Sequence, residues 1–488
     1  MKHRLYWLAG FAVLWCLGIA ARLYSLQVVQ HETYSTKAER QQQRVIEIDP
    51  PRGTIYDARG RVLAVSVEVD SAFAVPRAIE DPVAVAKVLA PILNVSSRKL
   101  AEELEGDGEF TWLARKLDPP VATAIREKDL PGIHFLKEYK RYYPQGRLAA
   151  SVLGFVGVDN QGLDGLEYQY DAVIAGKQGE RTVLRDARRG SLSSPSLPSA
   201  AAEPGQDLYL TLDASLQHLA EMELERAVKE NRARAGSIVL LDPFRGAVLA
   251  MASYPGFDPN RFTEFPKEHR KNLAVASAFE PGSTFKVVTF ASALDANLID
   301  PNDVVDCGMG GITLLSTRIR DYKPFGRLSF REVLAKSSNV GTIKAVQRIP
   351  REEYYEDLRA FGLGTATGVD LPGESSGILR PLESWSALAP AYISFGQGIA
   401  TTALQLTNAF AVVANGGTLY RPYLVEAVGS GPDIRRLHPE PEALGHPITP
   451  STALQLERML EGLITPEGTG KAAGIEGYQV AGKTGTAQ

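Results

Sequence analysis

Cysteine is almost missing from the 488 residues: there are two, Cys16 and Cys307. Cys16 lies inside the apolar run at the amino end and Cys307 far beyond it, so they cannot pair within one chain and no disulfide framework is available. Stability must come from core size alone. A surplus of either charge is missing too. Lysine plus arginine (53) nearly balances aspartate plus glutamate (57), with no basic block and no acidic tail, which removes nucleic acid from the expected partners. No repeats with a period of ~20 to 50 residues are visible.

One long hydrophobic run is present. Met1-Lys2-His3-Arg4 precedes the uncharged "LYWLAGFAVLWCLGIAA", followed by Arg22 and "LYSLQVV". Read as one helix from Leu5 to Val28, it can cross a bilayer with Arg22 snorkelling near one end. A cleaved secretory signal is the competing reading, but the stretch is long for that and no clear small-residue cleavage site follows. Basic residues before the span favour a cytoplasmic amino end, with everything after it on the far side.

The remaining length accommodates two or three units of about 100 to 250 residues. After a polar stretch ending at Pro50-Pro51, "RGTIYDARGRVLAVSVEV" reads as a β-hairpin turning at Asp57 to Gly60. Residues from about Asp81 to Lys137 read as polar and helical, with helices in "DPVAVAKVLAPILN" and "SSRKLAEELEG". The small, proline-rich "SLSSPSLPSAAAEPGQD" reads as a linker and sets the domain boundary. Beyond it, "LYLTLD" predicts a strand. "ASLQHLAEMELERAVKEN" predicts an amphipathic helix burying Leu216, Leu219, Ala220, Leu224 and Ala227, and "GSIVLLDP" and "GAVLAMAS" predict a hairpin. This order predicts an α+β domain with an antiparallel sheet.

Chemistry concentrates in three short motifs. In "FEPGSTFKVVTF", Pro281-Gly282 cannot continue a strand, so Ser283 stands at a helix start with Lys286 one turn on. A serine becomes a nucleophile when a base takes its proton, and a lysine kept neutral by burial or a second cation can do that. Ser96 and Lys99 repeat the spacing in a polar helix, where a solvated face is the better reading. In "AKSSNVG", Ser337 and Asn339 can face one cleft, Ser337 to relay a proton and Asn339 to hold a substrate amide or the lysine; a helix cap is the plainer alternative. In "YQVAGKTGTAQ", read as a strand, Gly482 and Gly485 permit close approach of a substrate backbone. Lys483 and Thr484 can bind a carboxylate, and the Thr486 N–H can join that of Ser283 as an oxyanion donor. Each motif is weak alone; three in this order, separated by 54 and 146 residues, are not.

The set Ser283-x-x-Lys286, Ser337-x-Asn339 and Lys483-Thr484-Gly485 resembles that of the penicillin-binding proteins and serine β-lactamases. "RGTIYDARGRVLA", "RYYPQGRLAASVLGFVG", "GLDGLEYQYD" and "SFGQGIATTALQL" narrow the resemblance to class B, the monofunctional transpeptidases, and "FEPGST" with "KSSNVG" to the cell-division branch and its sporulation relatives. Ala403 departs from that pattern, which has proline there.

The resemblance implies an anchor over 1–28, an elongated membrane-proximal pedestal or dimerisation domain over 29–203, and a transpeptidase domain over 204–488 with helices on both sides of its sheet. It implies catalysis by Ser283, Lys286, Ser337 and Asn339, substrate binding by Lys483, Thr484, Gly485 and Thr486, and no metal or organic cofactor. The implied partners are peptidoglycan stem peptides ending in D-Ala-D-Ala, β-lactams, the inner membrane, a membrane-embedded glycan polymerase and other division proteins. Two more strands and a closing helix normally follow the third motif in that family, so the chain is expected to be a fragment. A β-lactam sensor or hydrolase, or a noncatalytic division scaffold, are the rival readings. The long domain before the boundary argues against the first and the three intact motifs against the second.

Overall fold

The computed structural model describes residues 2–34, 43–106, 108–185, 191–192, 199–464 and 468–486. The centre of the expected linker, 193–198, lies outside them. The chain divides into two units, Met1–Pro51 with Gly176–Pro204, and Arg52–Ala175 with Gly205–Gln488.

In the first unit an α-helix, Lys2–Tyr24, continues as a π turn, Ser25–Val29. The apolar stretch His3–Val29 is long enough to span a bilayer and is wholly unburied. The strand Gln43–Ile48 pairs antiparallel with Gly179–Arg185, which also pairs with the short strands Ser191–Leu192 and Ser199–Ala200.

The second unit contains a seven-stranded mixed sheet. The hairpin read around Asp57 forms: Ile55–Tyr56 pairs with the 13-residue strand Val62–Ala74. Ile55–Tyr56 also runs parallel to Leu208–Leu210, which pairs in turn with Val425–Val428. Buried Ile55, Leu63, Leu208, Leu210, Val248 and Leu404 share one core, so segments on either side of residue 204 fold together. Both helices expected after Asp81 are present, Pro82–Leu93 capped by the Asp81 carboxylate on the Ala84 N–H, and Ser97–Leu104. A third helix, Pro119–Arg126, also fits the helical reading, but on either side of it that reading is corrected. Thr111–Ala114 and Ile133–Tyr142 are strands that pair with Val62–Ala74. Pairing with a long partner overrode the polar, lysine-rich composition of "IHFLKEYKRY".

Four buried polar side chains bind this half together. Glu167 accepts from Arg52 Nε and Nη2, from Arg141 Nε at 2.6 Å and from the Tyr143 hydroxyl. Arg52 also bonds Asp171 at 2.6 Å, and Arg141 donates to the Gly53 carbonyl. Their desolvation is offset because nearly every donor and acceptor is matched.

The hairpin Gly236–Leu241 and Val248–Tyr254 has helices on both faces, as expected. Ala250 and Ala252, with Ile238 and Leu240, meet the helix Ala214–Glu230. On the other face Val239, Leu241, Val248 and Met251 share a core with Ala274, Val275 and Leu404. The inward stripe of Ala214–Glu230 is rotated from the expected one: Ala214, Gln217, Ala220, Leu224 and Val228 are buried, whereas Leu219 is 51 % exposed. Gln217 explains the rotation. Its carboxamide is fully buried because it pairs with the N–H and C=O of Met251, satisfying a strand backbone that no described strand serves on that side. At Ala403 the missing proline is harmless, since Thr402 and Gln405 form a reciprocal capping box that starts the helix Ala403–Ala414.

Candidate active site

Ser283 lies in a 3₁₀ turn, Gly282–Phe285, that runs directly into the helix Lys286–Asp295. Its backbone is braced from outside by the Gly282 N–H, which donates to the Gly396 carbonyl at 3.1 Å. Among the described residues the Ser283 hydroxyl forms no hydrogen bond, and it faces a cavity of about 430 Å³ lined also by Arg320, Tyr322, Asn339, Tyr392 and Thr486. A contiguous cavity of about 250 Å³ adds Ser337, Thr469, Thr484 and Gly485.

Lys286 is 0 % exposed, a placement an ammonium tolerates only with every proton matched. Its Nζ donates to the Ser337 carbonyl at 2.7 Å, the Ser337 hydroxyl at 3.2 Å and Asn339 Oδ1 at 2.8 Å. Burial, and then the nearby Lys483 charge, push its pKa well below the usual lysine value, with Asp321 opposing. Such a lysine reaches its neutral, basic form at much less alkaline pH than an exposed one.

The loop that holds Lys286 is strained where it does so. Ser337 has φ +57°, a left-handed conformation that costs a β-carbon-bearing residue roughly 1 to 3 kcal/mol. It directs both oxygens of one residue to one amine. Ser338 is the cap: its Oγ accepts from the Gly341 N–H at 3.0 Å and starts the helix Asn339–Val346. Ser338 is thus the cap, while Ser337 and Asn339 on either side of it line one cavity. Asn339 holds the lysine, while its Nδ2 donates to the Arg320 carbonyl at 3.1 Å.

The third motif reaches the same point. Lys483 Nζ donates to the Ser337 hydroxyl at 3.0 Å, so that oxygen is shared by two lysines. Burial lowers the Lys483 pKa to about 8. Thr484 Oγ1 donates to Thr469 Oγ1, a neighbour the sequence pattern did not single out. One expectation is corrected. Residues 478–486 form no strand, because no described strand pairs with them. Gly485 also lies close to the segment that carries Ser283: a Cβ there would lie 2.7 Å from Thr284 Cγ2 and 3.0 Å from the Pro281 carbonyl. Gly482 meets only Ile464, at an ordinary 3.8 Å. The second Ser-x-x-Lys copy is inert by placement, with Lys99 77 % exposed beside Glu103.

A serine at a helix start, a buried lysine one turn on and a second lysine meeting it at a shared hydroxyl define a serine acyltransferase. A family model of the penicillin-binding protein transpeptidase domain matches residues 236–488, and one of the penicillin-binding protein dimerisation domain matches residues 47–210. The peptidoglycan D,D-transpeptidase FtsI of Escherichia coli is 35 % identical over 99 % of this chain and 80 % of its own length. Stage V sporulation protein D of Bacillus subtilis is 34 % identical over 100 % of this chain and 76 % of its own length. Penicillin-binding protein 3 of Mycobacterium tuberculosis, solved with aztreonam, superposes with a TM-score of 0.68 at 30 % identity, over 91 % of this chain and 83 % of that one. The chain belongs to the class B penicillin-binding proteins.

Proposed function

We propose that this protein is a peptidoglycan D,D-transpeptidase that cross-links stem peptides during septal wall synthesis through an acyl-enzyme on Ser283. The observation that carries the reading is the fully buried Lys286, matched by Ser337 and Asn339 and facing a second lysine. In this mechanism neutral Lys286 takes the proton of the Ser283 hydroxyl as its oxygen bonds the carbonyl carbon of the penultimate D-alanine. The bond to the terminal D-alanine breaks, and its nitrogen leaves protonated through the Ser337 hydroxyl, which bridges the two lysines. An amine of a neighbouring stem then attacks the ester, loses a proton to Lys286 and frees the Ser283 hydroxyl. Lys483, Thr484 and Gly485 hold the donor's carboxylate, and the Ser283 and Thr486 N–H groups face the oxyanion. Losing one oxyanion donor costs on the order of 100-fold or more in rate.

A β-lactam mimics the donor and leaves a slowly hydrolysed ester on Ser283. The apolar helix after Lys2 and Arg4 supports a single span of the cytoplasmic membrane with the amino end inside and the acyltransferase outside. Residues 29–203 are the membrane-proximal domain in this reading and 204–488 the transpeptidase domain, with a membrane-embedded glycan polymerase and other division proteins as partners. The test is labelling by a fluorescent penicillin, with the adduct located by mass. Ser283→Ala should abolish labelling, and equal labelling of both proteins would sink the assignment. Rapid turnover of the penicillin would instead favour a hydrolase.

A further inference from the structure

We propose that Asp321, which lies in none of the three motifs, is a positioning residue for acylation: it fixes the Ser337–Asn339 loop against the active-site wall and so sets the place and charge state of Lys286. This rests on the acyl-transfer reading of the site. Asp321 directly follows the strand Thr317–Arg320. One of its carboxylate oxygens accepts from the N–H groups of Asn339 and of Val340, the latter at 3.0 Å, and the other accepts from the Ser338 hydroxyl at 2.7 Å. With Ser338 taking the Gly341 N–H, the first three N–H groups of the helix Asn339–Val346 are all satisfied, and an anion faces its positive end.

Asn339 is thereby held at three points. Its backbone N–H is bound to Asp321, its Nδ2 to the Arg320 carbonyl, and its Oδ1 to Lys286 Nζ. A rigid path runs from the strand end through Asn339 to the base. The carboxylate also acts through space. It favours the charged form of Lys286, against burial and the Lys483 ammonium, which favour the neutral one. The other titratable groups here include the Cys307 thiol, Asp306 and Lys344, with Arg320, Tyr322 and Lys323 flanking Asp321 in sequence. None of them is a second anion close to Lys286, so the charge of Asp321 opposes the two lowering effects by itself among the described residues.

The test compares Asp321→Ala and Asp321→Asn in the full chain, reading the second-order rate constant for acylation by a fluorescent penicillin across pH ~6 to ~10. Asp321→Ala releases the loop and should lower that constant about 10- to 100-fold at every pH. Asp321→Asn keeps an acceptor oxygen for the two backbone N–H groups but no charge. It should recover most of the plateau rate, with the acidic limb of the profile moved to lower pH because Lys286 gives up its proton more easily. A structural role alone would leave that limb in place. Acylation of Asp321→Ala within about threefold of the parent, or an unmoved limb in Asp321→Asn, overturns the proposal. Should the alanine variant not fold, the limb of the asparagine variant decides alone. Ser283→Ala is run in parallel: labelling there would refute the acyl-enzyme reading itself, whereas a silent Ser283→Ala with an unaffected Asp321→Ala refutes only the positioning role.

Discussion

Replacing Gly396 by alanine tests whether the nucleophile is placed by a backbone clamp. Gly396 has φ +82°, and its carbonyl holds the Gly282 N–H one residue before Ser283. A Cβ there would lie 2.1 Å from the Gly282 carbonyl oxygen and 2.5 Å from its nitrogen. Real contacts of that kind begin near 3.0 Å, so the backbone carrying Ser283 must shift by roughly 0.9 Å. A displacement of about 1 Å at a reacting atom costs on the order of 100-fold in rate. The left-handed backbone itself adds only about 1 to 2 kcal/mol of lost stability. Gly416 separates the two effects: its φ is +84°, but nothing lies within 4 Å of its Cβ position. Gly416→Ala should therefore carry the backbone penalty alone and acylate normally, while Gly396→Ala, which adds the clash, melts lower and, assayed well below its melting temperature, loses about two orders of magnitude in acylation. Measured with a fluorescent penicillin beside a thermal melt, Gly396→Ala acylating within about threefold of Gly416→Ala would refute the clamp.

Two further perturbations follow from the buried charges. Glu167→Gln leaves Arg52 and Arg141 buried without their shared anion, so denaturant unfolding should show a loss of about 3 to 5 kcal/mol; a loss under about 1 kcal/mol would mean that the network is solvated. The Lys483 pKa is lowered to about 8 in the folded protein from 10.5, so between those values the unfolded chain binds more protons than the folded one and stability rises with pH. Lys483→Met should flatten that rise in melting temperature and, by removing a cation beside Lys286, move the acidic limb of the acylation profile to higher pH.

The residues that gather at the candidate site were easier to single out in the sequence than the strands around it, because acyl-transfer chemistry asks for particular residue types at short spacing. Ser283 and Lys286 are separated by one helical turn, and Ser337 and Asn339 by two residues, so local sequence carries the geometry. What was hidden depends on partners far along the chain. Ile133–Tyr142 is a strand because Val62–Ala74 is beside it, and only Glu138 and Arg141 along it are buried, each in an ion pair. No periodicity announces such a strand. Gln217 has no place in the apolar spacing of its helix and is buried because its carboxamide pairs with the backbone of Met251. Asp321 is a single carboxylate in "TRIRD" with no pattern of its own, and its significance lies wholly in which N–H groups it faces.

In the proposed mechanism the shared Ser337 hydroxyl gives Lys483 a second role besides holding the donor's carboxylate. Its oxygen is 3.2 Å from Lys286 Nζ and 3.0 Å from Lys483 Nζ, so the two amines lie at most ~6 Å apart. Two full charges at that distance repel by about 3 kcal/mol at an effective dielectric of ~20, equivalent to about two pKa units. Both cannot remain protonated near neutrality without that cost, and Lys286, fully buried, is the one that burial already pushes towards neutrality. In the proposed mechanism Lys483 therefore acts on Lys286 as a fixed cation of the kind that activates a lysine. When a carboxylate docks on Lys483, the repulsion is partly neutralised and Lys286 can hold a proton more readily. In the proposed mechanism that is the change required once the base has taken the proton of Ser283. The donor's carboxylate would thus be recognised by the same group that poises the base, coupling substrate binding to proton transfer through one hydroxyl.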